Sequence, residues 1–385
     1  MKKVKFLMVV MALFIMWPAM AQETYKEVEP NDETLVYPGG NAHEVKFYPN
    51  KWKGKKPKNI ILMIGDGMGV SQVFAGITAN HGQLFLGNFK HIGFSQTSSS
   101  SHYITDSAAG GTALSTGVRT YNGAIGVGPD KQHLTTILEE AEKKGLATGL
   151  VSTSAITHAT PASFIAHQAA RSSYEAIAAD FLNTDIDVFI GGGYKHFTDR
   201  EDGRNLVTDL EANGYKVLQN ITEIAAVSSG KLAGLTAAEH NGRIEERGDM
   251  LPVATKTALN ILKNNKKGFF IMIEGSQIDW AGHAKNTTYA VEDMLDFDKA
   301  IGEALKFAVN DGQTLVIVTA DHETGGMALA GGDFEKGMVK GAFTSTDHTA
   351  VMVPIFAWGP GAEQFMGIMK NIDIHKKMRD MLISK

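Results

Sequence analysis

Five short apolar runs lie beside side chains of the types that can ligate metal ions or act as nucleophiles. Asn59 to Ile64 leads into Gly65-Asp66-Gly67-Met68-Gly69, and Thr105-Asp106-Ser107-Ala108-Ala109-Gly110-Gly111 carries a serine at an expected helix start. Phe269 to Ile273 runs into Glu274, Asp279 and His283, while Thr314 to Ala320 runs into Asp321-His322. His348 stands just before the apolar run Val351 to Ala357. Ligands at the ends of buried parallel strands are where an open α/β sheet builds its site. A serine hydroxyl among Asp, Glu and His ligands suits metal-assisted phosphoryl transfer.

Spacing supports the grouping. Asp279 and His283 are four apart, so one helical turn puts them on one face. An isolated Asp–His pair is usually a surface hydrogen bond. Here four carboxylates and three histidines recur at strand ends, and burying so much charge is costly unless cations neutralise it. Carboxylate with imidazole suits zinc, and oxygen-only ligands suit magnesium. Ser107 has neither a Gly-x-Ser-x-Gly elbow nor a visible triad, so its activation would come from a metal. Read alone it is more readily a plain N-cap than a nucleophile. His158-Ala159-Thr160-Pro161 follows a further strand, and Arg171 lies ten residues beyond Pro161. Its planar fork could grip two phosphate oxygens, but spacing does not select it over Arg119.

These residues need a frame of alternating strands and helices. Strands are expected at Ile60–Ile64, Ala147–Val151, Val188–Ile190, Phe269–Ile273, Leu315–Thr319 and Val351–Ala357. Helices are expected at Ser107–Thr116, Leu134–Lys144, Ser173–Leu182, Leu251–Asn264, Thr287–Val309 and Ile374–Ile383. The alternation implies an α/β fold: a three-layer sandwich with a central, mostly parallel sheet flanked by helices. One catalytic domain is expected over 58–385, with surface excursions near 191–248 and 325–347. The second excursion is glycine-rich and reads equally as a loop at the mouth of the site or a hairpin.

Lys2, Lys3 and Lys5, the apolar run Phe6 to Trp17 and Ala19-Met20-Ala21 read as a signal peptide over residues 1–21, which predicts export to the periplasm or medium. The run is too short for a membrane-spanning helix, which takes ~20 residues. Residues 22–57 read as an irregular N-terminal arm. Signal removal takes three lysines and moves the net charge from −5 to −8, against a nucleic-acid or anionic-membrane partner. The chain has no cysteine, which excludes disulfides, thiolate zinc sites and cysteine nucleophiles.

Seven segments in order resemble the alkaline phosphatase family: Ile64 to Gly69, Thr105 to Ala109, Thr116 to Gly123, His158 to Ala162, Glu274 to Asp279, Thr319 to Gly326 and Asp347 to Ala350. The resemblance implies two zinc ions and one magnesium per chain. Ser107 would be the nucleophile. Asp279, His283 and His348 would hold one zinc, and Asp66, Asp321 and His322 the other. Asp66 would also bridge to magnesium held by Glu274 and Thr160, and Arg171 would clamp phosphate. His158 and Trp280 stand where relatives vary, which leaves the third metal open. The resemblance further implies a homodimer, phosphomonoester substrates of broad leaving group, an alkaline optimum and inorganic phosphate as product. A phosphodiesterase of the same superfamily and a non-enzymatic metal- or phosphate-binding protein are the alternatives. A sulfatase is disfavoured because Ser107 lacks the Cys/Ser-x-Pro-x-Arg context.

Overall fold

The computed structural model describes residues 33–383. The expected signal peptide and the first part of the arm lie outside the described residues. A ten-stranded sheet organises the chain. Its order is Gly367–Lys370, His91–Gln96, Val353–Trp358, Thr314–Thr319, Asn59–Gly65, Phe269–Gly275, Ala147–Ala155, Val188–Gly192, Lys231–Leu235 and Tyr215–Leu218. Val353–Trp358 alone runs against the rest; it pairs antiparallel with both neighbours, and every other pairing is parallel.

The apolar strand sequences fit burial on both faces. In Asn59–Gly65, Ile61 and Met63 enter one core cluster while Ile60, Leu62 and Ile64 enter the other. Phe269, Ile271 and Ile273 alternate with Phe270 and Met272 in the same way. The helices Val70–Ala79, Met250–Leu262 and Thr287–Asp311 cover the first face. Ser107–Thr116, Ile137–Lys143, Tyr174–Asp180 and Asn371–Leu382 cover the second. Each fully buried aliphatic or Phe side chain contributes roughly 2 kcal/mol by leaving water. This is the three-layer α/β sandwich that the alternation implies.

Differences from expectation have local causes. Residues 191–248 contain two strands, Tyr215–Leu218 and Lys231–Leu235, which extend the sheet at one edge. They are short and interrupted by polar turns, so their periodicity is weak. Met327–Asp333 and Met338–Phe343 form a hairpin, and Val36–Tyr37 of the arm adds a third strand to it. Described residues of the arm also contact their own chain: His43 Nε2 is 2.8 Å from buried Asp298 Oδ2, and Trp52 meets Trp358 edge-on. No helix among the described residues is long and apolar enough to cross a membrane.

The strands' C-terminal ends converge on one edge, where Asp66, His158, Glu274 and Asp321 follow or end their strands. The helix Ser107–Thr116 is seated above this edge and packed from behind by Asn371–Leu382. His375 of the latter is buried against Gly117. Burial lowers its pKa from 6.5 to about 4; Glu140 opposes this and Arg379 adds to it. The folded-state value lies below the unfolded one, so the unfolded chain binds the extra proton and stability falls from pH 6.5 down through pH 4. We expect this residue to account for roughly 3 kcal/mol of acid destabilisation. In urea titrations between pH 7 and 4, His375→Leu should lose that much less stability than the parent; parallel losses would show that the imidazole titrates normally.

Candidate active site

Asp66 follows Gly65 and enters a tight turn through Gly67, whose φ is +72°. A Cβ on Gly67 would sit 2.6 Å from the Asp279 Cα, so this position requires glycine for both conformation and space. Gly110 lets the serine helix approach Asp321, whose Cβ would be 3.1 Å from a substituent there. These two glycines bring three strand ends and one helix start into a single buried space.

Asp106 caps the serine helix, accepting from Ala109 N at 2.9 Å. Ser107 is the first helical residue, so its hydroxyl is spared from capping. Its Oγ lies 3.2 Å from His322 Nε2, and both side chains are buried. The same Nε2 is 3.4 Å from Asp66 Oδ1 and 3.2 Å from Asp321 Oδ2. A second set lies beside it. His283 Nε2 is 3.4 Å from Asp279 Oδ2, and His348 Nε2 is 3.5 Å from Asp279 Oδ1. The His322 and His348 rings stack with centroids 3.5 Å apart. Asp66, His158 and Glu274 form a third group whose donor atoms fall within 4.8 Å of one another.

The N–O distances at the first two sets exceed the ~2.7–2.9 Å of a charge-assisted hydrogen bond. They match two ligands of one cation, which at ~2.0–2.1 Å bond lengths stand about 3.4 Å apart. The outer contacts agree. His283 Nδ1 bonds Thr346 O at 2.6 Å, His348 Nδ1 bonds Thr105 O at 2.9 Å, and His322 Nδ1 lies 3.2 Å from Thr324 Oγ1. In each ring the Nδ1 contact leaves Nε2 to face the carboxylates, as in metal-ligating histidines. Buried Asp66 Oδ1, Glu274 Oε1 and Asp321 Oδ2 have no hydrogen-bond partner.

Electrostatics follow from this crowding. Burial, then Asp321, Asp279 and Glu274, hold the Asp66 pKa well above the usual carboxylate range. Burial, then Asp279 and Glu274, likewise raise Asp321. Burial also opposes ionisation of Asp279, but His283, His348 and His322 outweigh it and hold that carboxyl well below. Burial and His348 keep His322 neutral.

The two arginines that spacing leaves equivalent sit in different surroundings, Arg171 beside the site. Its Nη1 donates to Asp106 Oδ2 at 3.2 Å, and its Nη2 is 3.2 Å from His158 Nε2. Arg119 instead reaches Asn371 Oδ1 and Gln96 O. Thr160 Oγ1 lies 3.4 Å from Asp66 Oδ2. Trp280 meets the rings of His158 and His240 edge-on. Sequence reasoning missed several supports. Ser152, Ser154 and Ser276 bond Glu274 Oε2 at 2.6, 3.5 and 2.7 Å; hydroxyls closing an otherwise apolar strand were the available signal. Thr324 Oγ1 donates to Asp279 Oδ1, and His240 Nδ1 accepts from Ala155 N.

The family model described as Alkaline phosphatase matches residues 57–340. The chain belongs to the alkaline phosphatase family. It is similar to Alkaline phosphatase 4 of Bacillus subtilis (strain 168), at 35% identity over 82% of this chain and 87% of that one. To the alkaline phosphatase of Escherichia coli (strain K12) it is 32% identical, over 85% of this chain and 86% of that one. Among solved structures, the alkaline phosphatase of the Antarctic bacterium TAB5 superposes with a TM-score of 0.80 at 43% identity, covering 85% of this chain and 98% of that one. This alkaline phosphatase family member is therefore a hydrolase of phosphate monoesters whose site contains candidate metal-ligand groups.

Thr324 orients ligands from two sets at once. Thr324→Val removes its hydroxyl with little change of shape and should weaken metal retention by roughly 10–100-fold. Competition with a chromogenic chelator measures this; equal retention would show that the contacts to Asp279 and His322 do not tune the ligands.

Proposed function

We propose that this chain hydrolyses phosphate monoesters through a phosphoserine formed on Ser107. The observation that carries this reading is the Ser107 hydroxyl facing His322 Nε2 at the junction of two carboxylate–imidazole sets. A metal-free reading, with His322 as general base, fits poorly. Its Nε2 lone pair would face Asp66 Oδ1 and Asp321 Oδ2 with no cation between them.

The residues present fit the metals that the family implies. Asp279, His283 and His348 suit one zinc, and Asp66, Asp321 and His322 a second. The unpaired oxygens of Asp66, Asp321 and Glu274 are the buried charge that such ions would neutralise. When bound, the pair would supply Lewis acidity to the attacking and leaving oxygens. We assign the third ion to Asp66, Glu274, Thr160 and His158. The His158 nitrogen moves that donor set towards zinc, whereas magnesium prefers oxygen. A histidine-to-aspartate mutant of the TAB5 enzyme has Mg bound in its M3 site, which supports reading this group as a third site.

The chain's own groups then divide the work. The Ser107 helix presents its hydroxyl from a fixed first turn. Ser107 Oγ forms a bond to phosphorus as the ester P–O bond breaks, and the alcohol leaves with a proton. Water then cleaves the phosphoserine, releasing inorganic phosphate and restoring the hydroxyl. Two displacements retain configuration at phosphorus. Asp106 and His158 hold the Arg171 guanidinium for two non-bridging phosphoryl oxygens. A monoester carries one more charged non-bridging oxygen than a diester, and a cationic clamp favours the more highly charged ester. The machinery grips the phosphoryl group, so broad leaving-group tolerance is expected, with an optimum at alkaline pH. From the sequence reading, the chain is exported, to the periplasm, after loss of residues 1–21; from the resemblance, it is a homodimer.

Turnover of a chromogenic phosphomonoester at alkaline pH should vanish on chelation and return with zinc and magnesium. Ser107→Ala should retain its metals yet form no phosphoenzyme; radiolabel trapped at undiminished level would place the nucleophile elsewhere. If a fully metallated protein cleaves only the matched diester, the phosphodiesterase reading replaces this one. Arg171→Ala should weaken competitive inhibition by inorganic phosphate by roughly 10–100-fold, in line with loss of a charge-assisted pair. Unchanged inhibition would remove Arg171 from the phosphate site.

A further inference from the structure

A second constellation with the ligand geometry of the active site lies on the surface, in residues that the phosphatase reading does not use. His133 Nε2 is 3.5 Å from Glu139 Oε1, and His167 Nε2 is 3.4 Å from the same oxygen. The three donor atoms fall within 4.8 Å of one another. The two imidazole rings lie with centroids 3.3 Å apart at 38°, much as His322 and His348 do at the catalytic edge.

Three features argue against an ordinary ion pair. The distances exceed those of charge-assisted hydrogen bonds and equal the ~3.4 Å separation of two ligands on one tetrahedral ion. One carboxylate oxygen serves both histidines, whereas a hydrogen bond to either would draw it to one side. The Nε2 of His167 is buried and makes no hydrogen bond of ordinary geometry, its contact with Glu139 Oε1 being 3.4 Å. The outer contacts also match. His167 Nδ1 lies 2.8 Å from Gly126 O, which directs Nε2 into the cluster. Glu139 Oε2 accepts from Thr136 N at 2.8 Å in a capping box, which leaves Oε1 to face the imidazoles. His133 closes a turn in which Val127 and His133 pair. Its side chain is 58% exposed, against 18% and 16% for the other two, so an ion and a completing water can enter from solvent.

We propose that His133, Glu139 and His167 bind one divalent transition-metal ion, zinc by donor type, at a site separate from the Ser107 metals. Two imidazoles and one carboxylate form a borderline donor set that suits zinc and disfavours calcium or magnesium. The ion would staple the turn of residues 126–133 and the start of the helix Ile137–Lys143 to the segment that runs from His167 into Arg171. That segment is already tied to its neighbours: Gln168 pairs with Ile125, and Arg171 N donates to Gly123 O at 2.8 Å. The surface ion would therefore stiffen the run that carries the phosphate clamp.

The test counts metal in zinc-saturated, gel-filtered protein by elemental mass spectrometry, for the parent, His133→Ala and Glu139→Gln. His133 is exposed, so alanine there should fold. Glutamine keeps the capping box while removing the ligand charge. Both variants should hold one zinc fewer per chain than the parent. Zinc titration should raise the parent's melting temperature through a step that His133→Ala lacks and that Glu139→Gln shows only at tenfold or more higher zinc. Equal zinc counts in all three proteins would overturn the site. So would binding in the parent only at millimolar zinc, the signature of an adventitious ion only. Because the readout is a difference at residues outside the Ser107 set, it holds whatever activity that set proves to have.

Discussion

The constraint on which this structure turns is the confinement of Asp66, Glu274, Asp279 and Asp321 at the ends of adjacent strands, all fully or nearly fully buried. Like charges in so small a space cannot all ionise unaided. The chain meets part of the cost itself. Serine hydroxyls satisfy one oxygen of Glu274, the Asp321 Oδ1 takes the His322 and Gly67 amides, and imidazoles balance Asp279. What stays unsatisfied is one oxygen each on Asp66, Glu274 and Asp321, those of Asp66 and Asp321 lying against His322 Nε2. Burial and the neighbouring carboxylates drive the pKa values of Asp66 and Asp321 up, so protons can stand in for cations there. A cation bound at these carboxylates would have to displace those protons, so its affinity would rise with pH.

The fold exists to make that confinement rigid. Parallel strands buried on both faces end together, and the turns that follow carry the ligands. The glycines at these ends are steric necessities, as Gly67 against Asp279 and Gly110 against Asp321 demonstrate. Each histidine then has its ring fixed by a contact at Nδ1, made by Thr346, Thr105 or Thr324. Precision at the ligands thus comes from the backbone and hydroxyls behind them.

Much of this was legible in the sequence, for a physical reason. Strands buried on both faces read as continuous apolar runs, so Asn59–Gly65, Phe269–Gly275 and Thr314–Thr319 stand close to where the pattern puts them. The serine helix was bounded to the residue because Asp106 caps it and Gly117 ends it with φ +73°. The half-exposed edge gave no such signal. His91–Gln96 alternates buried and exposed residues, and Tyr215–Leu218 is only four residues long, so neither stood out from the polar turns around it. Distances across the fold were equally hidden. Spacing could not separate Arg171 from Arg119, because what distinguishes them is that Asp106 and His158 receive the first while Asn371 and Gln96 hold the second.

The same limit explains why the cluster of His133, Glu139 and His167 escapes a reading by motif. Its members belong to a turn, a helix start and a post-helical segment, none of which ends a buried strand. The rule that picked out the candidate ligands beside Ser107, charge at the end of an apolar run, is a rule about desolvation. It finds groups whose burial demands a counter-charge, and it passes over a half-exposed site whose residues cost little to leave empty. Geometry discriminates where burial does not. Imidazole nitrogens held 3.4–3.5 Å from one shared carboxylate oxygen, with the far side of Glu139 and of His167 bonded to backbone, are arranged for an ion between them.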